Sequence, residues 1–359
     1  MAVEKISIEC FIEYIKKNPV LDVRSPGEFT HAHIPCAHSL PLFTDDERKI
    51  IGTAYKQESR EKAIKIGLQY FGTRMVQIVE TVEPLTESSK KEPEVGHGKT
   101  VLVHCWRGGM RSEAVAWLLD LYGFKVLTLS GGYKVFRRWV LQQFEKSYSF
   151  QVIGGYTGSG KTDMLQHLKA TGETIIDLEE LACHKGSAFG NLESSKQPSQ
   201  ELFENMLALA LYKARCKQQT IWIEDESQRI GDVNIPAKLY RSKQSGPVYF
   251  IDVPFEERLK FITSQYGKFE KEHLINAIVR INRRLGSLET KRAINYLVED
   301  DIENCFAILL RYYDKYYEKS LSDLCENTKR QIYKIHSPDV NAETNAQLLL
   351  KTSYNILEQ

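Results

Sequence analysis

The sequence predicts an α/β protein made of two successive parallel-sheet units, the second ending in a helical region. Three observations carry this expectation. Short apolar runs alternate with helical patterns from residue 19 to 132, the alternation restarts at 149, and from about 255 to 320 the patterns turn mostly helical. Strand–helix alternation implies a parallel sheet covered by helices. A length of 359 residues also exceeds what one hydrophobic core usually supports. The boundary is expected inside YKVFRRWVLQQFEKS, 133–147, giving domains 1–140 and 141–359.

In chain order, PVLDVRS (19–25) reads as a strand ending in a turn and HIPCAHSLPL (33–42) as an extended loop. ESREKAIKIGLQYF (58–71) has helical spacing, with Ala63, Ile66 and Tyr70 on one side. The polar, breaker-rich stretch 83–99 reads as a surface loop. KTVLVHC (99–105) is a buried strand, SEAVAWLLDLYGF (112–124) a helix closed by glycine, and KVLTLSGG (125–132) another strand. In the second unit SFQVIGG, ETIIDLEEL, TIWIEDES and GPVYFIDVP read as strands; GKTDMLQHLKATG and SQELFENMLALALYKARCKQQ read as helices.

The bulk composition excludes little. A formal charge of +1 rules out a strongly basic protein but leaves room for a local nucleic-acid patch. No apolar run approaches the roughly 20 residues of a membrane span, and MAVEKISIECFIEYIKKN lacks the basic-then-apolar order of a signal peptide. A cytoplasmic location without membrane association is expected. The seven cysteines (10, 36, 105, 183, 216, 305 and 325) are odd in number and never spaced as C-x-x-C, against a disulfide framework or a zinc site. Six read as small core residues.

Cys105 stands apart. It ends a strand in VLVHCWRGGMRS, where Gly108 and Gly109 permit a tight turn and Ser112 could cap the next helix. Arg107 and Arg111 add positive charge. A thiol reacts as thiolate, and backbone N–H groups at a helix N-terminus stabilise one. The pattern therefore reads as an anion nest around a reactive sulfur.

A second anion site lies at GYTGSGKT, 155–162, which fits G-x-x-x-x-G-K-[ST], follows a strand and opens a helix. Gly155, Gly158, Ser159 and Gly160 let backbone N–H groups wrap a phosphate, Lys161 supplies a cation, and the Thr162 hydroxyl suits Mg²⁺. A diphosphate-containing ligand is expected. Glu224 and Asp225, at a strand end, are candidates for the further Mg²⁺ ligand, with Asp177 behind them. Arg280, Arg283 and Arg284, with Lys291 and Arg292, form a basic segment that could follow a nucleic-acid backbone. The tyrosines of RYYDKYYEK (311–319) could stack on bases. Solvated helix faces and ordinary core tyrosines would give the same pattern.

Two architectures share the H-C-x5-R of His104, Cys105 and Arg111: cysteine phosphatases and rhodaneses. LDVRSPGEFTHAHIPCAHSLPL at 21–42 makes the first third resemble a rhodanese domain. With HCWRGGMRS, GGYTGSGKT, HKGSAFG and WIEDESQRIG all present, nearly the whole chain resembles the bacterial tRNA 2-selenouridine synthase family, a rhodanese-like domain followed by a P-loop NTPase-like domain.

The resemblance implies an enzyme that replaces the sulfur of wobble 2-thiouridine in tRNA by selenium from selenophosphate, through an S-geranyl intermediate made from geranyl diphosphate. It implies an S-selanyl intermediate on Cys105, with Arg107 and Arg111 steadying the donor's oxyanion. The P-loop would hold the geranyl diphosphate, next to an apolar groove for the prenyl chain. Selenophosphate synthetase is a further expected partner. Two other readings stay open: an ATP-dependent tRNA sulfurtransferase, and a cysteine phosphatase-like enzyme with a nucleotide-binding domain.

Overall fold

The computed structural model describes residues 3–87, 99–185, 196–217, 219–327 and 330–357. Contacts divide the chain into two compact units, Met1–Gln143 with Glu201–Leu209, and Phe144–Gln200 with Ala210–Gln359.

The first unit runs β1 (Glu4–Ile6), α1 (Ile8–Tyr14), β2 (Val20–Asp22), α2 (Pro26–His31), β3 (Ala37–Ser39), α3 (Asp45–Gln57) and α4 (Arg60–Glu87). It continues with β4 (Thr100–His104), α5 (Met110–Tyr122), β5 (Lys125–Leu129) and α6 (Gly132–Phe144). The five strands form one parallel sheet in the order β1-β5-β4-β2-β3. Val101, Leu102 and Val103 of the central strand are fully buried. Burial on both faces is why this stretch reads as an unbroken apolar run rather than an alternation. The glycine closing α5 was expected, and Gly123 takes the left-handed conformation at φ 110°.

Three details differ from expectation. HIPCAHSLPL carries the short strand β3 rather than loop alone, because Ala37–Ser39 pair in register with Val20–Asp22. The helix expected over 58–71 extends to Glu87 and includes Pro84, so the expected loop starts inside a helix; residues 88–98 lie outside the described residues. Helix α3 was not anticipated at all, although Thr44 and Glu47 make the reciprocal capping box that starts it.

The second unit holds β6 (Phe150–Gly155), α7 (Lys161–Ala170), β7 (Ile175–Ile176), α8 (Leu178–Ala182), α9 (Gln200–Cys216) and β8 (Ile221–Glu224). There follow β9 (Arg229–Ile230), β10 (Val233–Asn234), α10 (Ala237–Gln244), β11 (Val248–Asp252), α11 (Phe255–Tyr266) and α12 (Lys271–Arg280). The chain ends with α13 (Asn282–Leu285), α14 (Ser287–Val298), α15 (Ile302–Asn327), β12 (Ile332–His336) and α16 (Ala342–Leu357). Its parallel sheet has the order β12-β11-β6-β8-β7. The helical part has its own core, including Ile262, Leu274, Ile278, Leu297 and Phe306.

Here too two expectations change. ETIIDLEEL is a strand for only two residues, since the Asp177 carboxylate accepts from Glu180 N at 2.8 Å and starts α8 instead. The fifth strand, β12, follows the helical region and pairs with β11 over Ile332–His336. The long helix α9 contributes its residues 201–209 to the first unit, where Asn205 Nδ2 donates to Tyr133 Oη at 2.8 Å and to His33 O at 2.9 Å.

Candidate active site: a thiol cradle and a phosphate loop

Strand β4 delivers Cys105 to the start of α5, and the chain turns back over it through Gly108 and Gly109. A second glycine loop, after β5, forms the floor. Tyr133 N donates to Cys105 O at 2.9 Å and Lys134 N to Trp106 O at 3.1 Å. At Gly132, with φ 60°, an added Cβ would lie 2.4 Å from Cys105 O and 2.5 Å from Gly108 N. Only glycine permits that approach. In the sequence SGG reads as the end of a strand, and nothing local marks this role.

Ser112 is not the helix cap; Gly109 holds that position. Its hydroxyl donates to Gly109 O at 3.0 Å and lies 3.2 Å from the Cys105 sulfur. Burial alone would raise the Cys105 thiol, which is 3% exposed. Hydrogen bonds from the Ser112 hydroxyl and from the N–H groups of Gly109, Ser112 and Arg107 outweigh burial, and the thiol sits below its ordinary value. The cradle thus favours a thiolate. His104, by contrast, is fully buried, and burial keeps its imidazole neutral.

The two flanking arginines differ. Arg107 is exposed. Arg111 Nη1 lies 2.9 Å from Glu28 Oε2, and Arg48 Nε lies 3.0 Å from the same oxygen. Burial would raise Glu28, but these guanidiniums hold it below the usual carboxylate range. The charge of Arg111 is therefore shared with Glu28, a partner 83 residues away in sequence. LDVRSPGEF also gains an explanation: Arg24 is fully buried, bonded to both Asp22 oxygens at 2.6–3.0 Å, and stacked 3.8 Å from the Tyr133 ring.

In the second unit, Gly155, Gly158 and Gly160 adopt φ 156°, 82° and 74°, and α7 starts at Lys161. Lys161 Nζ donates to Gly155 O at 3.0 Å and Tyr156 O at 3.4 Å. Ser159 is 1% exposed, with its hydroxyl buried in the loop. The loop backbone is braced from behind by Arg258, which donates to Thr157 O at 3.1 Å and Val253 O at 3.0 Å and forms a two-pronged pair with Asp314 at 2.8 Å. No motif marked Arg258.

The Thr162 hydroxyl meets two carboxylates, Glu224 Oε1 at 3.0 Å and Glu179 Oε2 at 3.2 Å. Glu179, Glu224 and Glu226 offer oxygens within 4.8 Å of one another. Burial and the neighbouring carboxylates raise Glu224 well above the usual range and Glu226 to about 7. Among the described residues Glu224 Oε2 is buried with no hydrogen-bond partner. Crowded carboxylates beside an orphaned oxygen and a hydroxyl fit a hard divalent cation such as Mg²⁺.

Asp225 is directed elsewhere: it faces Tyr317 Oη at 3.3 Å, Arg330 Nη1 at 3.4 Å and Lys243 Nζ at 3.5 Å. Successive residues leaving an extended strand alternate faces, so Glu224 and Glu226 share one side and Asp225 takes the other. Asp177 is occupied as the cap of α8.

The basic segment does not form one helix. Gly286, with φ 90°, separates α13 from α14, and Arg280, Arg283 and Arg284 are exposed. Arg284 hydrogen-bonds Tyr312, and Tyr316 is 61% exposed, whereas Tyr317 is half-buried and donates to Asp225 Oδ2 at 3.3 Å. HKGSAFG falls largely on 186–190, outside the described residues.

Two apolar cavities accompany the loops. Beside the phosphate loop, Thr157, Ile262, Tyr266, Phe306 and Leu310 surround about 30 Å³, room for a couple of water molecules and too little for a ten-carbon chain. In the first unit a cavity of about 610 Å³ lies against the first turn of α5.

A sulfur nucleophile cradled at the end of a parallel strand, and a lysine–threonine loop opening a helix, define a rhodanese-like unit joined to a P-loop unit. A rhodanese-like family model matches residues 7–138, and the model of the tRNA 2-selenouridine synthase AAA domain matches residues 148–347. Over 333 residues the chain is 34% identical to a tRNA 2-selenouridine synthase of Aeromonas salmonicida, covering 83% of this chain and 86% of that protein. A tRNA 2-selenouridine synthase of Hydrogenovibrio crunogenus is 32% identical over 85% of this chain and 89% of its own length. One of Shewanella denitrificans is 31% identical over 86% and 90%. The chain belongs to the tRNA 2-selenouridine synthase family. No described helix is long and apolar enough to cross a membrane.

Proposed function

We propose that this protein converts 2-thiouridine at the wobble position of tRNA to 2-selenouridine, by way of S-geranyl-2-thiouridine. The observation that carries the reading is the thiolate-favouring cradle of Cys105 in a chain that also holds a complete P-loop.

The chemistry requires two stages. A thiocarbonyl sulfur leaves poorly, whereas its S-alkyl derivative departs as a thiol. Geranyl diphosphate is a suitable alkyl donor because diphosphate leaves readily once its charge is absorbed. The N–H groups of Gly155 to Thr162 and the ammonium of Lys161 bind that diphosphate in our reading. Thr162, Glu224, Glu179 and Glu226 would hold Mg²⁺, directly or through water, and the ion when bound offsets the charge of the departing diphosphate.

The Cys105 thiolate then attacks the phosphorus of selenophosphate and frees selenium at the selenide level beside it; that selenide adds to C2 of the alkylated base and expels geranyl thiol, and water hydrolyses the S-phosphocysteine to phosphate. Arg107 is the guanidinium open to the donor's oxyanion, and Arg111 joins it by exchanging its contact with Glu28. Overall, the alkylated base, selenophosphate and water give the selone, geranyl thiol and phosphate without net redox change. Arg280, Arg283 and Arg284 contribute phosphate contacts to the RNA, with Tyr312 and Tyr316 beside them.

The test is mass spectrometry of nucleosides from thiolated tRNA incubated with the protein, selenophosphate, geranyl diphosphate and Mg²⁺, omitting each in turn, with a parallel arm in which ATP replaces geranyl diphosphate. Selenouridine with all components, and S-geranyl-2-thiouridine when selenophosphate is omitted, is the expected outcome. Selenouridine formed without geranyl diphosphate but only with ATP would overturn it.

A further inference from the structure

We infer that the 610 Å³ cavity of the first unit is the subsite for the branched alkyl chain of the S-alkylated base while Cys105 acts on it. The inference rests on the geranyl route proposed above and adds the place where the chain resides during selenium transfer.

The cavity and the thiol cradle share one helical turn. Met110, Arg111 and Ala114 line the cavity, while Ser112 of the same turn faces the Cys105 sulfur at 3.2 Å. The far wall is the hairpin of α3 and α4, with Ile51, Ile64 and Phe71, and Leu42 and Phe43 close the base. Leu42, Phe43 and Phe71 belong to the same buried cluster as Cys105. At the mouth, Tyr55, Leu68 and Met110 are more than half exposed. Large apolar side chains held open at a concave surface mark a binding site for an apolar ligand.

Two glycines keep this space empty at a cost. Gly52 lies inside α3 and Gly67 inside α4, and both line the cavity. Among the described residues, a Cβ at Gly52 would meet nothing within 4 Å, and one at Gly67 would touch the Phe43 ring at 3.4 Å and Ile51 at 3.9 Å. Neither glycine is required by backbone geometry, since neither has a left-handed φ. Each destabilises its helix by about 1 kcal/mol relative to alanine. A residue with no structural need for glycine, facing a cavity, is what a ligand pocket leaves behind.

The rim identifies the kind of molecule. Lys49 and Lys56, together with Arg48 and Arg111 that share Glu28, line an otherwise apolar pocket. A greasy chain attached to a polyanion satisfies both features, since the chain fills the cavity and phosphates meet the rim. Displacement of an alkyl thiol at the base also demands that its chain lie near Cys105, where selenium is delivered. The 30 Å³ pocket by the phosphate loop has no room for it.

The test compares an anticodon stem-loop RNA carrying S-geranyl-2-thiouridine with one carrying the five-carbon S-dimethylallyl analogue. Gly52→Leu and Gly67→Leu fill the cavity from two sides. The ratio of kcat/KM for the geranyl over the dimethylallyl substrate is expected to fall at least about tenfold, the scale of losing one or two buried methylenes. An unchanged ratio in folded variants overturns the inference.

An independent arm uses the unaltered protein and an S-alkyl RNA bearing a diazirine at the chain end. Labelling of peptides spanning 48–68 or 110–114 supports the cavity, and labelling confined to other segments refutes it. If the unaltered protein fails to convert the geranylated RNA at all, the geranyl route itself falls. If it converts that RNA with no effect of filling and no labelling here, only the cavity assignment falls.

Discussion

The Ser112 hydroxyl lies 3.2 Å from the Cys105 sulfur and 3.0 Å from Gly109 O, and its single hydrogen bond is donated to one or the other. With three backbone N–H groups converging on the same atom, the thiol sits below its ordinary value despite the upward push of burial. Alkylation of Cys105 by a small electrophile should therefore inflect below the ordinary thiol value of about 8.5. Because only the thiolate reacts, the rate should rise with pH up to that inflection and level off above it. Ser112→Ala should move the inflection upward and slow alkylation at pH 7 by on the order of tenfold, the worth of one hydrogen bond to a charged group. An inflection at or above the ordinary value would contradict the cradle.

The acidic cluster gives a second pH signature. Glu226 is raised to about 7, so the folded state binds more protons than the unfolded one between the ordinary carboxyl value of about 4.3 and 7. Without Mg²⁺, this group's contribution to stability should fall as pH rises through that window. A bound dication reverses the penalty, so the rise in Tm on adding Mg²⁺ should be larger at pH 8 than at pH 6. Glu226→Gln should reduce that difference. Equal Mg²⁺ shifts at both pH values would exclude these carboxylates as the site.

Much of this is legible in the sequence, and the misses have distinct causes. Both loops were readable because their chemistry is written locally, as glycines and cations around Cys105 and from Gly155 to Thr162. Glu28 is distant in sequence from Arg111, and Arg258 from Thr157, so only the fold brings them together. Glu226 had a local signal, strand alternation from Glu224, which also argues against Asp225. Helix α3 carried an unread one, Thr44 with Glu47. β3 and β7 are too short for periodicity to register.

Arg258 braces the phosphate loop and should behave as a positioning residue. Arg258→Met leaves Asp314 without its partner and should cost on the order of 3 kcal/mol of stability. Adding Asp314→Leu should restore Tm, yet diphosphate binding, followed by calorimetry, should stay weakened because Thr157 O has lost its donor. Recovery of both together would make the pair merely structural.

The division of labour between the loops is tested most directly by giving Cys105→Ala and Lys161→Ala proteins the complete reaction mixture and analysing the tRNA nucleosides by mass spectrometry. Cys105→Ala should accumulate S-geranyl-2-thiouridine and form no selenouridine. Lys161→Ala should leave 2-thiouridine unaltered, yet convert RNA that already carries the geranyl group. Normal selenouridine from Cys105→Ala, or undiminished geranyl transfer by Lys161→Ala, would contradict the account.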